Sequence, residues 1–121
     1  MYEIISHRAK SNHIYPENTK EAILKVLMDE KIDGIEIDIR MTKDKKLIVF
    51  HDPILNIKTN CNGIVKFKKY KQIKKCKLHE KYYIPLLESL LKEIAYLKID
   101  KKIILDIKYE GKDINNIVCI L

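Results

Sequence analysis

Gly34-Ile35-Glu36-Ile37-Asp38-Ile39-Arg40, followed after a short polar connection by Ile48-Val49-Phe50-His51-Asp52, decides the fold of this chain. Strict alternation of apolar and polar residues is the mark of a half-buried strand. Ile35, Ile37 and Ile39 point to one face; Glu36, Asp38 and Arg40 point to the other. Two closely spaced acids without an intervening lysine are unusual on a solvent face in so lysine-rich a chain. Lys43-Asp44-Lys45-Lys46 then links to the second apolar run. A hairpin with an even loop of two or four residues would pair Thr42 with Leu47 and Asp38 with His51. Directly opposed residues share a face, so Glu36, Asp38 and His51 would converge on one patch. An odd loop would turn His51 to the other face.

Working outward, Tyr2 to Ser6 reads as a short strand that delivers His7-Arg8 at its end. A polar loop follows, and then Pro16-Glu17-Asn18-Thr19. Asn18 with Glu21 three residues later has the spacing of a helix cap with a capping-box acid. Ile23, Leu24, Leu27 and Met28 continue at helical spacing. Strand, helix, strand in this order makes a βαβ unit and a parallel sheet covered by helices. Beyond Asp52 the pattern weakens. Residues 55–83 hold Thr59, Gly63 and a lysine-rich run in which Phe67, Tyr70 and Tyr82 are interleaved. Such a run can bind nucleic acid, but no nucleic-acid motif accompanies it, so a solvated helix or surface insertion is the better reading. Ile84-Pro85 opens a second amphipathic helix carrying Leu86, Leu87, Leu90, Leu91, Ile94 and Leu97 on one side. The segment Lys102 to Ile107 reads as a strand with Asp106 and Lys108 on one face. Gly111 and Asp113 are expected to start a further helix through the final apolar run.

The 121 residues fit one domain, 1–121, with enough chain for a core. The formal charge of +7 favours anionic partners such as phosphate esters, nucleic acid or acidic membrane surfaces, although many lysines here reflect general composition. Cys61, Cys76 and Cys119 are odd in number and lack CxxC spacing. They read as neither a disulfide framework nor a zinc site, which suits a reducing, cytoplasmic setting. The N-terminus turns polar too soon for a signal peptide, and no apolar run approaches a membrane span. His13 and His79 fit no motif and read as surface residues.

The ordered set His7-Arg8, Pro16-Glu17-Asn18-Thr19, Glu36-Ile37-Asp38, Thr42-Lys43-Asp44, His51-Asp52, Thr59, Gly63, Ile84-Pro85-Leu86-Leu87-Glu88 and Asp106-Ile107-Lys108 resembles the motifs of the glycerophosphodiester phosphodiesterase family. Each motif alone is weak; their order is not. The resemblance implies an α/β fold, the N-terminal half of a (β/α)8 TIM barrel of the phospholipase C-like type, with about four strand positions. It implies metal-dependent hydrolysis of glycerophosphodiesters to glycerol 3-phosphate and an alcohol. At the matching positions, His7 and His51 would be the acid-base pair, Arg8 and Lys108 would hold the phosphate, and Glu36, Asp38 and Asp106 would bind Mg²⁺ or Ca²⁺. Three departures stand out. Ala9 and Lys45 replace usual glycines, and Asp106 replaces a usual glutamate.

Those residue types suit the chemistry in their own right. A phosphodiester is anionic and its alcohol is a poor leaving group, so hydrolysis needs charge neutralisation, a base and an acid. Carboxylates are hard ligands for Mg²⁺ or Ca²⁺, and histidine titrates near neutrality. Glu17 is open to two readings, near the site or as a helix N-terminal acid. Asn18 reads as a cap, and Asp52 as either an orienter of His51 or a strand end. The alternative to an enzyme is an inactive half barrel that keeps the motifs and needs self-association or a complementing chain to cover its open edges. A related phospholipase-like diesterase is a third option.

Overall fold

A computed structural model describes residues 2–108 in full and the backbone of 115–120. Its strands are β1 (Ile5–His7), β2 (Gly34–Met41), β3 (Leu47–Val49), β4 (Lys77–Leu78), β5 (Tyr82–Tyr83), β6 (Lys102–Lys108) and β7 (Asn115–Ile120); its helices are α1 (Lys20–Leu27), α2 (Tyr70–Ile73) and α3 (Leu87–Tyr96). The alternating stretch forms the central strand. β2 lies parallel to β1 on one side and to β6 on the other, with β3 antiparallel at its end. Among the described residues three strands therefore run parallel, against about four strand positions expected.

The two faces of β2 divide the molecule. Ile35, Ile37 and Ile39 are fully buried and pack with Ile23 and Leu27 of α1 and Leu90 and Ile94 of α3. Burying each such side chain contributes on the order of 2 kcal/mol. The opposite face carries Glu36 and Asp38. Asp38 is also buried, so the strand is covered on both sides rather than half-buried. Gly34 starts β2 where three strands crowd together: a Cβ there would lie 2.5 Å from the Lys102 carbonyl oxygen. Alanine at this position would force the β2–β6 backbones apart.

The hairpin register differs from the even-loop expectation. Met41 pairs with Leu47, Arg40 with Ile48 and Ile39 with Val49. Thr42 faces Lys46, its N–H donating to the Lys46 carbonyl at 2.8 Å, so the loop holds three residues. The cause is Lys45, whose φ of 65° supplies the left-handed residue of a three-residue hairpin. Asp38 is consequently opposite Phe50, whose N–H donates to the Asp38 carbonyl. Glycine takes this backbone conformation without the side-chain clash. Lys45→Gly is expected to raise stability by about 0.5 kcal/mol, the relief of strain being partly offset by the greater freedom of the unfolded chain. Urea denaturation with an unchanged slope would check it, and a loss of stability would contradict the assignment.

Three further expectations are corrected. Thr19, not Asn18, caps α1, accepting from the Ala22 N–H. Cys61 and Cys76 are joined in a disulfide closing a fifteen-residue separation, with Cα atoms 5.6 Å apart. Spacing alone could not reveal this pair, because the intervening chain folds back; the inference of a reducing compartment loses its basis. The final apolar run is a strand: β7 lies antiparallel along β6, satisfying an edge that would otherwise be open. The expected helix start at Gly111 and Asp113 falls outside the described residues.

The basic segment is a surface insertion with its own small core. Leu55, Val65, Ile73, Cys76 and Leu78 pack with Ile48, Phe50 and Ile84. Asp44 ties the hairpin loop to it, accepting from Thr42 Oγ1 at 2.5 Å and from the Tyr70 N–H at 3.0 Å. Among the described residues no helix is long and apolar enough to cross a membrane.

Candidate functional site

The carboxyl ends of β1, β2 and β6 bring the charged motif residues together. β1 delivers His7 beside Glu36 in register, and His7 Nε2 lies 2.5 Å from Glu36 Oε1. The chain then turns sharply through Arg8 (φ 56°) and Ala9 (φ 59°). Ala9 thus occupies the left-handed conformation that suits a glycine, and its methyl is wholly buried. Asn18, also at φ 59°, closes the turn by donating its N–H to the Arg8 carbonyl. Three strained residues at one spot mark a loop held in place by its surroundings.

Asp38 is the hub. Its Oδ2 accepts from Asn18 Nδ2 at 3.0 Å and lies 3.1 Å from Arg8 Nε, which is not aligned for a hydrogen bond. Its Oδ1 is 3.6 Å from Lys108 Nζ, which itself sits 2.7 Å from Asp106 Oδ2. Parallel pairing places Asp38 level with Asp106, so one ammonium spans both strands. The other oxygen of Asp106 is buried without a hydrogen-bond partner.

A second chain of charges reaches His51. Register does not bring His51 over the acids, because the strand ends at Val49 and the loop is odd. Two other contacts fix it instead. Arg40 Nε donates to the His51 carbonyl at 2.8 Å, and His51 Nδ1 lies 2.7 Å from Asp52 Oδ1. Lys58 Nζ bridges Asp52, at 3.7 Å, to Glu17, at 2.9 Å. Glu17 also faces Arg8 at 3.4 Å. The contacts from His51 through Asp52, Lys58, Glu17, Arg8, Asp38 and Lys108 to Asp106 form one continuous network.

Glu17 therefore lies within this network, Asp52 contacts His51 Nδ1, and Asn18 donates to Asp38. Lys58 was missed. It stands apart from the other lysines, between Lys46 and Lys66, with no motif to single it out. His13 and His79 are exposed, as expected. Among the described residues no group of three or more His, Cys, Asp or Glu side chains is gathered as a metal cage. Glu36 faces His7, while Asp38 and Asp106 share Lys108.

Burial raises the Glu17 pKa, but the Lys58 hydrogen bond and the charges of Lys58, Arg8 and Lys10 outweigh it and hold the carboxyl below its ordinary value. A depressed folded-state pKa gives stability that is present above the unfolded value, near 4.5, and lost as pH falls through the folded one. Glu17→Gln is accordingly expected to lower stability at neutral pH and to flatten the acid limb of a stability-against-pH curve. Parallel acid limbs for the two proteins would contradict this.

Charged side chains at the carboxyl ends of parallel strands linked through helices are the site architecture of (β/α)8-barrel enzymes. The chain belongs to the glycerophosphoryl diester phosphodiesterase family, whose family model matches residues 7–119. A glycerophosphodiester phosphodiesterase of Bacillus altitudinis is 39% identical over 102 residues, 78% of this chain and 41% of that protein. The crystal structure of a glycerophosphodiester phosphodiesterase from Agrobacterium tumefaciens superposes with a TM-score of 0.76 at 29% identity, covering 90% of this chain and 48% of that one. A structure from Galdieria sulphuraria, at 24% identity, shares the fold with a TM-score of 0.80 over 92% of this chain and 45% of its own. The chain thus spans about half the length of these relatives, and its fold corresponds to half of their TIM barrel.

Proposed function

We propose that this chain carries the site of a phosphodiesterase that splits glycerophosphodiesters into glycerol 3-phosphate and an alcohol. The observation that supports it most is the single charge network joining Arg8, Asp38, His51, Asp106 and Lys108, with the His7–Glu36 pair at the ends of β1 and β2. Arg8 and Lys108 hold the anionic phosphoryl oxygens. His7 and His51 divide the proton work: one accepts the proton of the attacking water, the other protonates the alcohol oxygen as the phosphorus–oxygen bond breaks.

By chemistry, though not by their present grouping, three acids are donors for a divalent cation. Glu36, Asp38 and Asp106 are hard oxygen donors, and one buried Asp106 oxygen has no hydrogen-bond partner. These three would hold Mg²⁺ or Ca²⁺. When bound, such an ion supplies charge neutralisation at the phosphoryl oxygens. Asp106 reaches one methylene less far than the usual glutamate, which favours the larger Ca²⁺. The substrate is a small molecule, and nothing here favours nucleic acid at this site.

A second reading is supported by the chain's span. With half a barrel, turnover would depend on self-association or on a complementing chain that supplies the remaining wall. Both readings are tested by release of glycerol 3-phosphate from glycerophosphocholine by the purified chain, with Mg²⁺, with Ca²⁺ and with chelator. Metal-dependent release that disappears in His7→Ala establishes the enzyme. Absence of release from a folded, cation-binding sample favours the module that needs a partner.

A further inference from the structure

The charge of this protein is concentrated in one place. Residues 53–83 contain nine lysines and a single acid, Glu80, a local balance of +8. The other ninety residues hold fifteen basic and sixteen acidic side chains, a balance of −1. General lysine richness does not explain this, since elsewhere each cation is matched by an acid. The segment is the folded insertion, closed by its own apolar cluster and by the Cys61–Cys76 bond. Lys66, Lys69, Lys71, Lys74, Lys75 and Lys81 are exposed on it.

Large apolar side chains are exposed on the same insertion. Ile57 is 76% and Phe67 62% accessible, and Ile64 and Tyr83 are also open. Lys66 lies over the Phe67 ring and Lys77 over the Tyr83 ring, so cation and apolar surface are presented together. Basic residues interleaved with exposed aliphatic and aromatic side chains match an acidic lipid surface. The lysines meet anionic headgroups, and the apolar side chains enter the boundary beneath them. An aliphatic residue as open as Ile57 has no use on a phosphate backbone, which favours a lipid surface over nucleic acid.

We infer that the 53–83 insertion is a docking surface for membranes rich in anionic phospholipid. It borders the charged site on two sides. Lys58 joins Glu17 and Asp52, and Val65 and Lys66 face Arg40, Met41, Leu47 and Lys108 across a cleft of about 360 Å³. Docking therefore sets the site against the layer of phosphodiester headgroups. The inference does not depend on the hydrolytic reading, because its test reads binding.

The test is partition of the full chain onto vesicles of phosphatidylglycerol with phosphatidylcholine, against phosphatidylcholine alone, at low and high salt. Acidic vesicles are expected to bind the chain and to release it at high salt. Changing Lys66, Lys71, Lys74 and Lys75 together to glutamine should weaken partition by roughly a hundredfold. The same change at exposed Lys25, Lys31, Lys43 and Lys98 removes equal charge and should alter it by only about threefold. The chain contains no tryptophan, so Phe67→Trp gives a single reporter whose emission should shift to the blue on binding. Thermal melts confirm that each variant is folded. No binding to acidic vesicles at low salt, equal losses in the two lysine sets, or an unshifted emission from the Phe67→Trp protein would overturn the inference. So would displacement from vesicles by a nucleic-acid oligomer that binds more tightly.

Discussion

Changing His51 to alanine should lower diester hydrolysis by about 10²- to 10⁴-fold, the usual worth of a positioned acid or base. Asp52 fixes the imidazole through Nδ1, which leaves Nε2 to exchange a proton with water or the alcohol oxygen. Asp52→Asn should cost less, about tenfold to a hundredfold, because the ring remains but its orientation and tautomer are no longer imposed. The pair is measured by initial rates of glycerol 3-phosphate release, with denaturation midpoints taken on the same samples. A folded His51→Ala protein that keeps its rate within a few-fold would remove His51 from the chemistry.

The second large effect concerns stability. Asp38 is buried, and three groups lean on it: Arg8, Asn18 and Lys108. Asp38→Ala leaves two cations, each with about a fifth of its side chain accessible, facing a void. Removing one partner of a fully buried pair costs about 3–5 kcal/mol. Here Arg8 keeps Glu17 and Lys108 keeps Asp106, so about 2–3 kcal/mol is expected. Asp38→Asn retains an acceptor for Asn18 and should lose roughly half as much. Urea midpoints decide it, and a loss under about 0.5 kcal/mol would show that Asp38 is not the hub of the network.

Much of this was legible in the residues. A period of two over Gly34 to Arg40 identified the central strand, its core face and its charged face, and helical spacing located α1 and α3. Pairings set by side chains in unusual conformations were not legible. Lysine by itself gives no warning that Lys45 will adopt a left-handed φ; the glycine usual at that position in the resembled family was the sign, and that one torsion moved the hairpin register by a residue. Asn18 and Thr19 are both good caps. Thr19 takes the cap by accepting from the Ala22 N–H, while Asn18 turns to Asp38, twenty residues on. Cys61 and Cys76 meet because the insertion folds back on itself, and Lys58 matters because that fold carries it to Glu17. The final run is β-branched and apolar enough for either a buried helix or a strand, and the available edge of β6 decided in favour of a strand.

That last pairing bears on how such a chain could ever join another. In a barrel the neighbour of β6 would run parallel to it; here β7 holds the position through six registered residue pairs running the other way. An incoming strand does not find a vacant berth. It must evict an occupant, and eviction proceeds by opening β7 first. The rate of any such assembly should then be set by a unimolecular event: nearly insensitive to the partner's concentration once saturating, and steeply accelerated by warming.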